Sequence, residues 1–249
     1  MSKIKLISIV LISSFIIFFC LVFIRNHKQP NLSPKYSGAI LPHHILAKNL
    51  IDDFLNRLTY EPKKIYIIGP NHFEVGNSKI ITDNNFETKN LQILSSTRVD
   101  SDIVSKEHSV KLFQDILSAK YPQSHIIPLV ISSNISVKDV ESLVDNIYQN
   151  FTDDTLLICS VDFSHYRTFP EAQKFDNKTI GLILNKDYSQ ITQLNNDYID
   201  SPKSLIIFLK TLDKLNKNKI TILNHSNSAI ILNDPHLSST TSYFELAFE

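Results

Sequence analysis

Nine histidines are spread over the 249 residues of the chain, and four of them directly follow short apolar runs. They fall in Gly38-Ala-Ile-Leu-Pro-His43-His44, Ile67-Ile-Gly-Pro-Asn-His72, Cys159-Ser-Val-Asp162-Phe-Ser-His165 and Ile222-Leu-Asn-His225. A fifth, His108, opens a helical pattern in Lys106-Glu107-His108-Ser109-Val110. Neutral imidazole is a common ligand for zinc, iron and copper, and it titrates near neutral pH, so such a set suits metal binding or acid/base work. Pro42 and Pro70 restrict the backbone ahead of His43 and His72 and help fix where the rings point. Asp162 and His165 are three residues apart on one turn, close enough for the carboxylate to orient the imidazole. Glu107 and His108, adjacent on a helix, diverge and need not act as a pair. One histidine at a strand end is most often a hydrogen-bonding loop residue; four in the same kind of position make chance the poorer explanation. The others read as structural: His125 at a strand entry on the opposite edge, His27 beside the N-terminal apolar run, and His236 in a polar loop.

These loops need elements to position them. Short apolar runs at 39–41, 64–68, 125–131, 155–161, 220–223 and 243–248 read as strands, and helical patterns lie between them at 45–58, 106–119, 137–150, 172–184 and 202–215. The segment 78–96, with Ile80, Ile81, Phe86 and the run 91–94, reads as extra strands on an insertion. Alternating strands and helices imply an α/β domain with a mostly parallel central sheet and helices on both faces. In such sheets ligands bind outside the carboxyl ends of the strands, where parallel strands bring the four loops together. No internal repeat and no low-complexity tract interrupts the pattern.

Composition narrows the function. Apolar residues make up 43% and charged residues 20%, too apolar for a disordered chain. Twenty-five basic residues balance twenty-five acidic ones, which argues against nucleic acid as partner because phosphate binding needs a basic surplus. Two cysteines, Cys20 and Cys159, exclude a disulfide framework and a Cys-rich zinc site. Four glycines and no GxGxxG or GxxxxGK[ST] motif argue against a nucleotide cofactor. From Leu6 to Ile24 there is no charge, and such a run comes close to spanning the ~30 Å hydrocarbon core of a bilayer. It exceeds a signal-peptide core and no small-residue cleavage site follows, so residues 1–26 are expected to be a retained single-pass anchor. The short basic N-terminus would place the following domain outside the cytoplasm. Residues 27–37, polar with two prolines, read as a linker, and 38–249 as the domain.

At these residues the sequence resembles the Memo-like family, called AmmeMemoRadiSam system protein B in prokaryotes. The matching pieces are Pro42-His43, Ile68-Gly-Pro-Asn-His72, Glu107-His108-Ser109-Val110, the strand ending in Pro128-Leu-Val, and Ser160-Val-Asp-Phe-Ser-His165-Tyr. The resemblance implies a fold similar to class III extradiol dioxygenases, with iron or copper as the expected metal. It makes His43 and His72 the metal-binding histidines and His165 the acid/base, with Asp162 beside it and Glu107 and His108 lining the cleft. The family's third ligand is a cysteine at the start of a late helix, where this chain reads Tyr198-Ile-Asp200-Ser201-Pro202. Asp200 could restore a two-histidine, one-carboxylate set, whereas Ser201 would mark a decayed site. Cys159, inside a strand, is no simple substitute. Two functions are carried forward: a metal-dependent redox or dioxygenase-type enzyme acting on a small molecule, or a non-catalytic metal-binding or scaffold module at the membrane.

Overall fold

Ile65–Ile68, Ile126–Ile131 and Leu156–Cys159 carry almost no polar residue, because both sides of these strands are covered. The structure, a computed structural model, describes residues 34–74, 78–83, 85–88 and 91–249. In chain order these form β1 (Gly38–Leu41), a 3-10 turn (Ile45–Ala47), α1 (Lys48–Arg57), β2 (Lys64–Pro70) and β3 (Ile80–Thr82). Next come α2 (Leu91–Ser96), β4 (Thr97–Val99), α3 (Ser101–Lys106), α4 (His108–Lys120), β5 (His125–Ile131) and α5 (Val137–Gln149). The rest is β6 (Thr155–Ser160), β7 (His165–Arg167), α6 (Phe169–Leu184), α7 (Tyr188–Ile191), α8 (Pro202–Lys214), β8 (Ile220–Asn227), α9 (Ser228–Ile231) and β9 (Thr240–Phe248).

The strands join in the order β4-β3-β5-β2-β6-β1-β9-β7, with β8 on β9. The four central strands β5, β2, β6 and β1 are parallel, with Ile65 opposite Ile126, Tyr66 opposite Leu157, and Gly38 also opposite Leu157. Antiparallel pairing is confined to the flanks, where β3 meets β5 and β9 meets β1, β7 and β8. Alternate side chains of each central strand enter different cores. Tyr66, Ile68, Leu157 and Cys159 pack with α5 and α8 on one face, and Ile65, Ile67, Leu156 and Ile158 with α1 and α4 on the other. Each fully buried aliphatic side chain contributes about 1.5–3 kcal/mol, so the parallel centre is the firm part on which the strand-end loops stand.

The α/β architecture, with its mostly parallel centre and helices on both faces, agrees with the sequence reading, and the final apolar run joins the sheet as β9. Two expectations need correcting. Within the insertion, 91–94 is not a strand but part of the short helix α2, since a brief apolar run suits either state. β8 continues through His225 to Asn227, so that histidine lies inside a strand and not at its end. Lys35–Glu249 forms one compact unit. Among the described residues no helix is long and apolar enough to cross a membrane. The expected anchor at 6–24 lies outside the described residues, as does most of the expected linker.

Candidate metal centre

His43 leaves the end of β1 and is only 4% exposed. Its backbone N–H donates to Asp162 Oδ1 at 3.2 Å, and its Nδ1 is 3.2 Å from Ser160 Oγ, at the end of β6. The Ser160 hydroxyl gives its own proton to the Ser109 carbonyl, so Oγ accepts from His43 Nδ1–H. In the neutral ring, the lone pair is therefore on Nε2, which faces Asp200 Oδ2 at 3.2 Å and Asp162 Oδ2 at 3.7 Å.

His72, past the end of β2, is held in the same sense. Glu107 Oε1 accepts from its Nδ1 at 2.8 Å and Oε2 from its backbone N–H at 2.9 Å, leaving Nε2 at 3.7 Å from Asp200 Oδ2. Glu107 is buried because it caps α4, accepting from Ser109 N–H at 3.2 Å. α4 can start this close to β2 because Gly69 has no side chain: a Cβ there would lie 2.7 Å from Ser109 Oγ. Ser109 Oγ closes the seam by donating to the Pro70 carbonyl at 2.8 Å. His108 is thereby stacked on His72, with ring centroids 4.1 Å apart, and edge-on to His43 at 5.1 Å. One ring nitrogen from each of His43, His72 and His108 lies within 4.8 Å of the others, a cluster compatible with metal binding.

Asp162 and Asp200 lock together the loop after β6 and the lead-in to α8. Asp200 N–H donates to the Asp162 carbonyl at 3.1 Å, and Asp162 N–H to Asp200 Oδ2 at 3.2 Å. Asp200 Oδ1 is buried and has no hydrogen-bond partner, a lone-pair site that the protein itself leaves unsatisfied. Two ligands held by one metal at ~2.0–2.2 Å lie roughly 3.0–3.5 Å apart, and the 3.2 and 3.7 Å separations of Asp200 Oδ2 from the two Nε2 atoms are close to that spacing. The donor set therefore fits a metal ion. Ser201 is engaged elsewhere, since its Oγ caps α8 by accepting from Ser204 N–H and donates to Ser204 Oγ. Cys159 packs among apolar side chains, and burial pushes its thiol well up.

The charges are interdependent. For His43 the largest influence, burial, pulls the pKa down, but Asp162 and Asp200 together carry it above the usual value. Burial also opposes protonation of His72, yet the nearby Asp200 carboxylate and the hydrogen bond to Glu107 lift it to about 9. His108, desolvated and facing the other two imidazoles, is pushed down to about 4. Burial raises Asp162, whereas for Asp200 the neighbouring histidines outweigh burial and hold it below the usual carboxylate range. The atoms that a cation would meet on His43 and His72 thus also attract protons, so metal and protons compete for them.

Asp162 does not orient His165 as its spacing suggested; its oxygens face His43, and His165 Nδ1 is buried with no hydrogen-bond partner. His165 is instead placed by its backbone, which pairs with Thr241 and donates to the Asn196 carbonyl at 3.3 Å. His225 stands apart, bonded to Asp176 at 3.1 Å and stacked on Phe244 at 4.0 Å. Glu107, expected to line the cleft, is a buried support for His72. Neither that role nor the part of Ser160 was read from sequence, though an acidic residue just ahead of an apolar helix is a usable capping signal. A cleft of about 450 Å³ opens beside His72 and Asp200.

Residues 23–246 match the family described as Memo-like protein. A MEMO1 family protein of Caldivirga maquilingensis is 24% identical over 241 residues, covering 88% of this chain and 81% of the relative. A MEMO1 family protein of Methanosarcina barkeri is 27% identical over 134 residues, where the match spans about half of each, 51%. The crystal structure of an uncharacterized Escherichia coli K12 protein, JW3007, superposes with a TM-score of 0.55 at 12% identity. It covers 85% of this chain and 99% of that one, a likeness of fold alone. With the family's motifs brought to one sheet edge and the match running over nearly the whole domain, the chain belongs to the Memo-like family.

Proposed function

We propose that this chain is a metal-dependent enzyme of redox or dioxygenase type acting on a small molecule, with the metal held by His43, His72 and Asp200. The observation that carries this reading is the shared aim of three groups: two Nε2 atoms turned by separate Nδ1 hydrogen bonds toward one buried carboxylate oxygen. A bound iron or copper ion would supply a Lewis-acidic, redox-active centre. Ser160 and Glu107 orient the ligating rings, a support that metal sites commonly need. His108, half-exposed and resistant to protonation, is a fourth donor at the mouth of the site. His165, with an unengaged buried nitrogen, is the group to hold or move a proton, and Asp162 fixes the His43 backbone.

Metal analysis of the purified full-length chain tests the reading, followed by an oxygen-consumption screen with small phenolic substrates. One equivalent of iron or copper, lost in His43→Ala and His72→Ala, is the expected result; a chain that takes up neither metal overturns it. Tight metal binding with no turnover of any substrate would favour the second reading, a binding module. The N-terminal anchor belongs to the same proposal, with the domain on the extracytoplasmic side. It predicts that the full-length chain stays in the membrane fraction through carbonate extraction.

A further inference from the structure

The cleft beside the histidine cluster, at about 450 Å³, is within the size range of small-molecule sites. Its lining combines apolar walls from Ile131 and Leu194, amides from Asn195 and Asn196, and, on the first turn of α8, Lys203. Among the described residues the Lys203 ammonium has no ion pair or hydrogen bond, unlike Lys210 and Lys214 of the same helix, which hold Glu141 and Asp145. The backbone amide of Lys203 is also available, because Ser201 Oγ takes the Ser204 N–H and Pro202 has none to give. The same lysine borders a smaller hollow over Val137 and Val140, but the carboxylate there, Glu141, is already taken by Lys210. Asp200 also lines the main cleft, its side chain 6% exposed and its Oδ1 without a partner. The cleft therefore presents an unmatched cation with an adjacent N–H, and an unmatched buried carboxylate oxygen.

We propose that the substrate is a small monocarboxylic acid, its carboxylate held by the Lys203 ammonium and amide and its remaining body directed toward His72 and Asp200. The direction of binding rests on the metal-site reading above; the carboxylate grip does not. A single negative charge is specified because Asp200 faces His43 and His72 and Glu74 accepts from Ser132 and Ser133, which leaves one lysine to meet the ligand, a match for a monoanion and not for a dianion such as phosphate. The apolar walls suit an uncharged body, and the amides suit a polar substituent on it.

The test titrates the full-length chain, with and without ferrous iron, against benzoate and its uncharged isostere benzamide, by calorimetry or amide NMR. Saturable benzoate binding should occur in both states, with benzamide weaker by about tenfold or more. Lys203→Ala and Lys203→Gln should each weaken benzoate by about tenfold, Lys203→Arg should retain it, and Lys214→Ala, altering a paired lysine of the same helix, should change nothing. Failure of benzoate to saturate, equal affinity for benzamide, or indifference to Lys203 overturns the proposal. If benzoate binds through Lys203 while the chain takes up neither iron nor copper, the metal reading falls and the carboxylate site stands. If iron binds and benzoate ignores Lys203, the reverse holds.

Discussion

Glu107 and Asp176 are each about 1% exposed, and each binds an imidazole, His72 at 2.8 Å and His225 at 3.1 Å. The two histidines are also similarly accessible, with side chains 25% and 32% exposed. The pairs nevertheless have different uses. Glu107 holds His72 by Nδ1 and leaves Nε2 facing Asp200 beside a second oriented histidine. Asp176 holds His225 by Nε2, lays its ring flat on Phe244, and also accepts from the hydroxyl of Ser164. A histidine–carboxylate pair is thus a module that serves a structural contact at the edge of the core as well as a site. What separates the two is whether the second nitrogen converges with other donors.

That contrast can be broken by substitution. The largest effect is expected from His43→Ala or His72→Ala, which should abolish metal uptake measured on the purified chain, whereas His225→Ala should leave the metal content unchanged. Asp200→Ala should weaken metal affinity by roughly tenfold or more, at least about 1.4 kcal/mol in a competition titration. If Asp200→Ala binds normally and Ser201→Cys binds more tightly, the serine marks a lost thiolate ligand and the carboxylate set is wrong. Glu107→Gln should cost about tenfold in affinity, because the amide cannot hold the His72 ring as the carboxylate does; Asp176→Asn, its counterpart, should reduce thermal stability and leave affinity within about twofold.

A third buried carboxylate sharpens the comparison by having no imidazole. Glu245 of β9 is fully buried, neither oxygen has a hydrogen bond, and Arg57 Nε is 3.5 Å away. Burial outweighs the attraction of Arg57 and pushes its pKa up to about 7. Because the folded value is above that of the unfolded chain, the stabilisation from protonated Glu245 is complete below about pH 4.3 and is lost as pH rises through about 7. Thermal melts of the wild type and Glu245→Gln should therefore diverge across that window, with the variant falling less. Parallel melting curves would show that Glu245 ionises freely in the fold.

The central strands were legible in the sequence because coverage on two faces leaves a run such as Ile65–Ile68 with no polar residue. The same runs marked where the loops begin, and so brought His43, His72 and Asp162 to one edge. Partnerships were much less legible. His72 and Glu107 are 35 residues apart, and only the docking of α4 against β2 joins them. His225 was misplaced because its strand continues in polar residues beyond the apolar run, Asn224 to Asn227, paired with Ser242–Glu245 of β9. Asp162 and His165 are near neighbours in sequence, yet a backbone pairing of His165 with β9 intervenes and the carboxylate turns to His43.

Gly69 gives the site a property that no side chain in it controls. The bare glycine lets the Ser109 side chain sit where a Cβ would meet its Oγ at 2.7 Å, so it fixes how closely β2 approaches the start of α4, and that approach sets the stack of His72 on His108. The stack therefore behaves as part of the chassis. Exchanging ligands or lining residues changes what the pocket holds, but its gauge on this side is inherited by every such variant. Gly69→Ala would push Ser109 aside and with it the first turn of α4, altering the spacing of the donors without touching one of them. A single methyl group on the far side of the strand end is then the means of tuning the aperture.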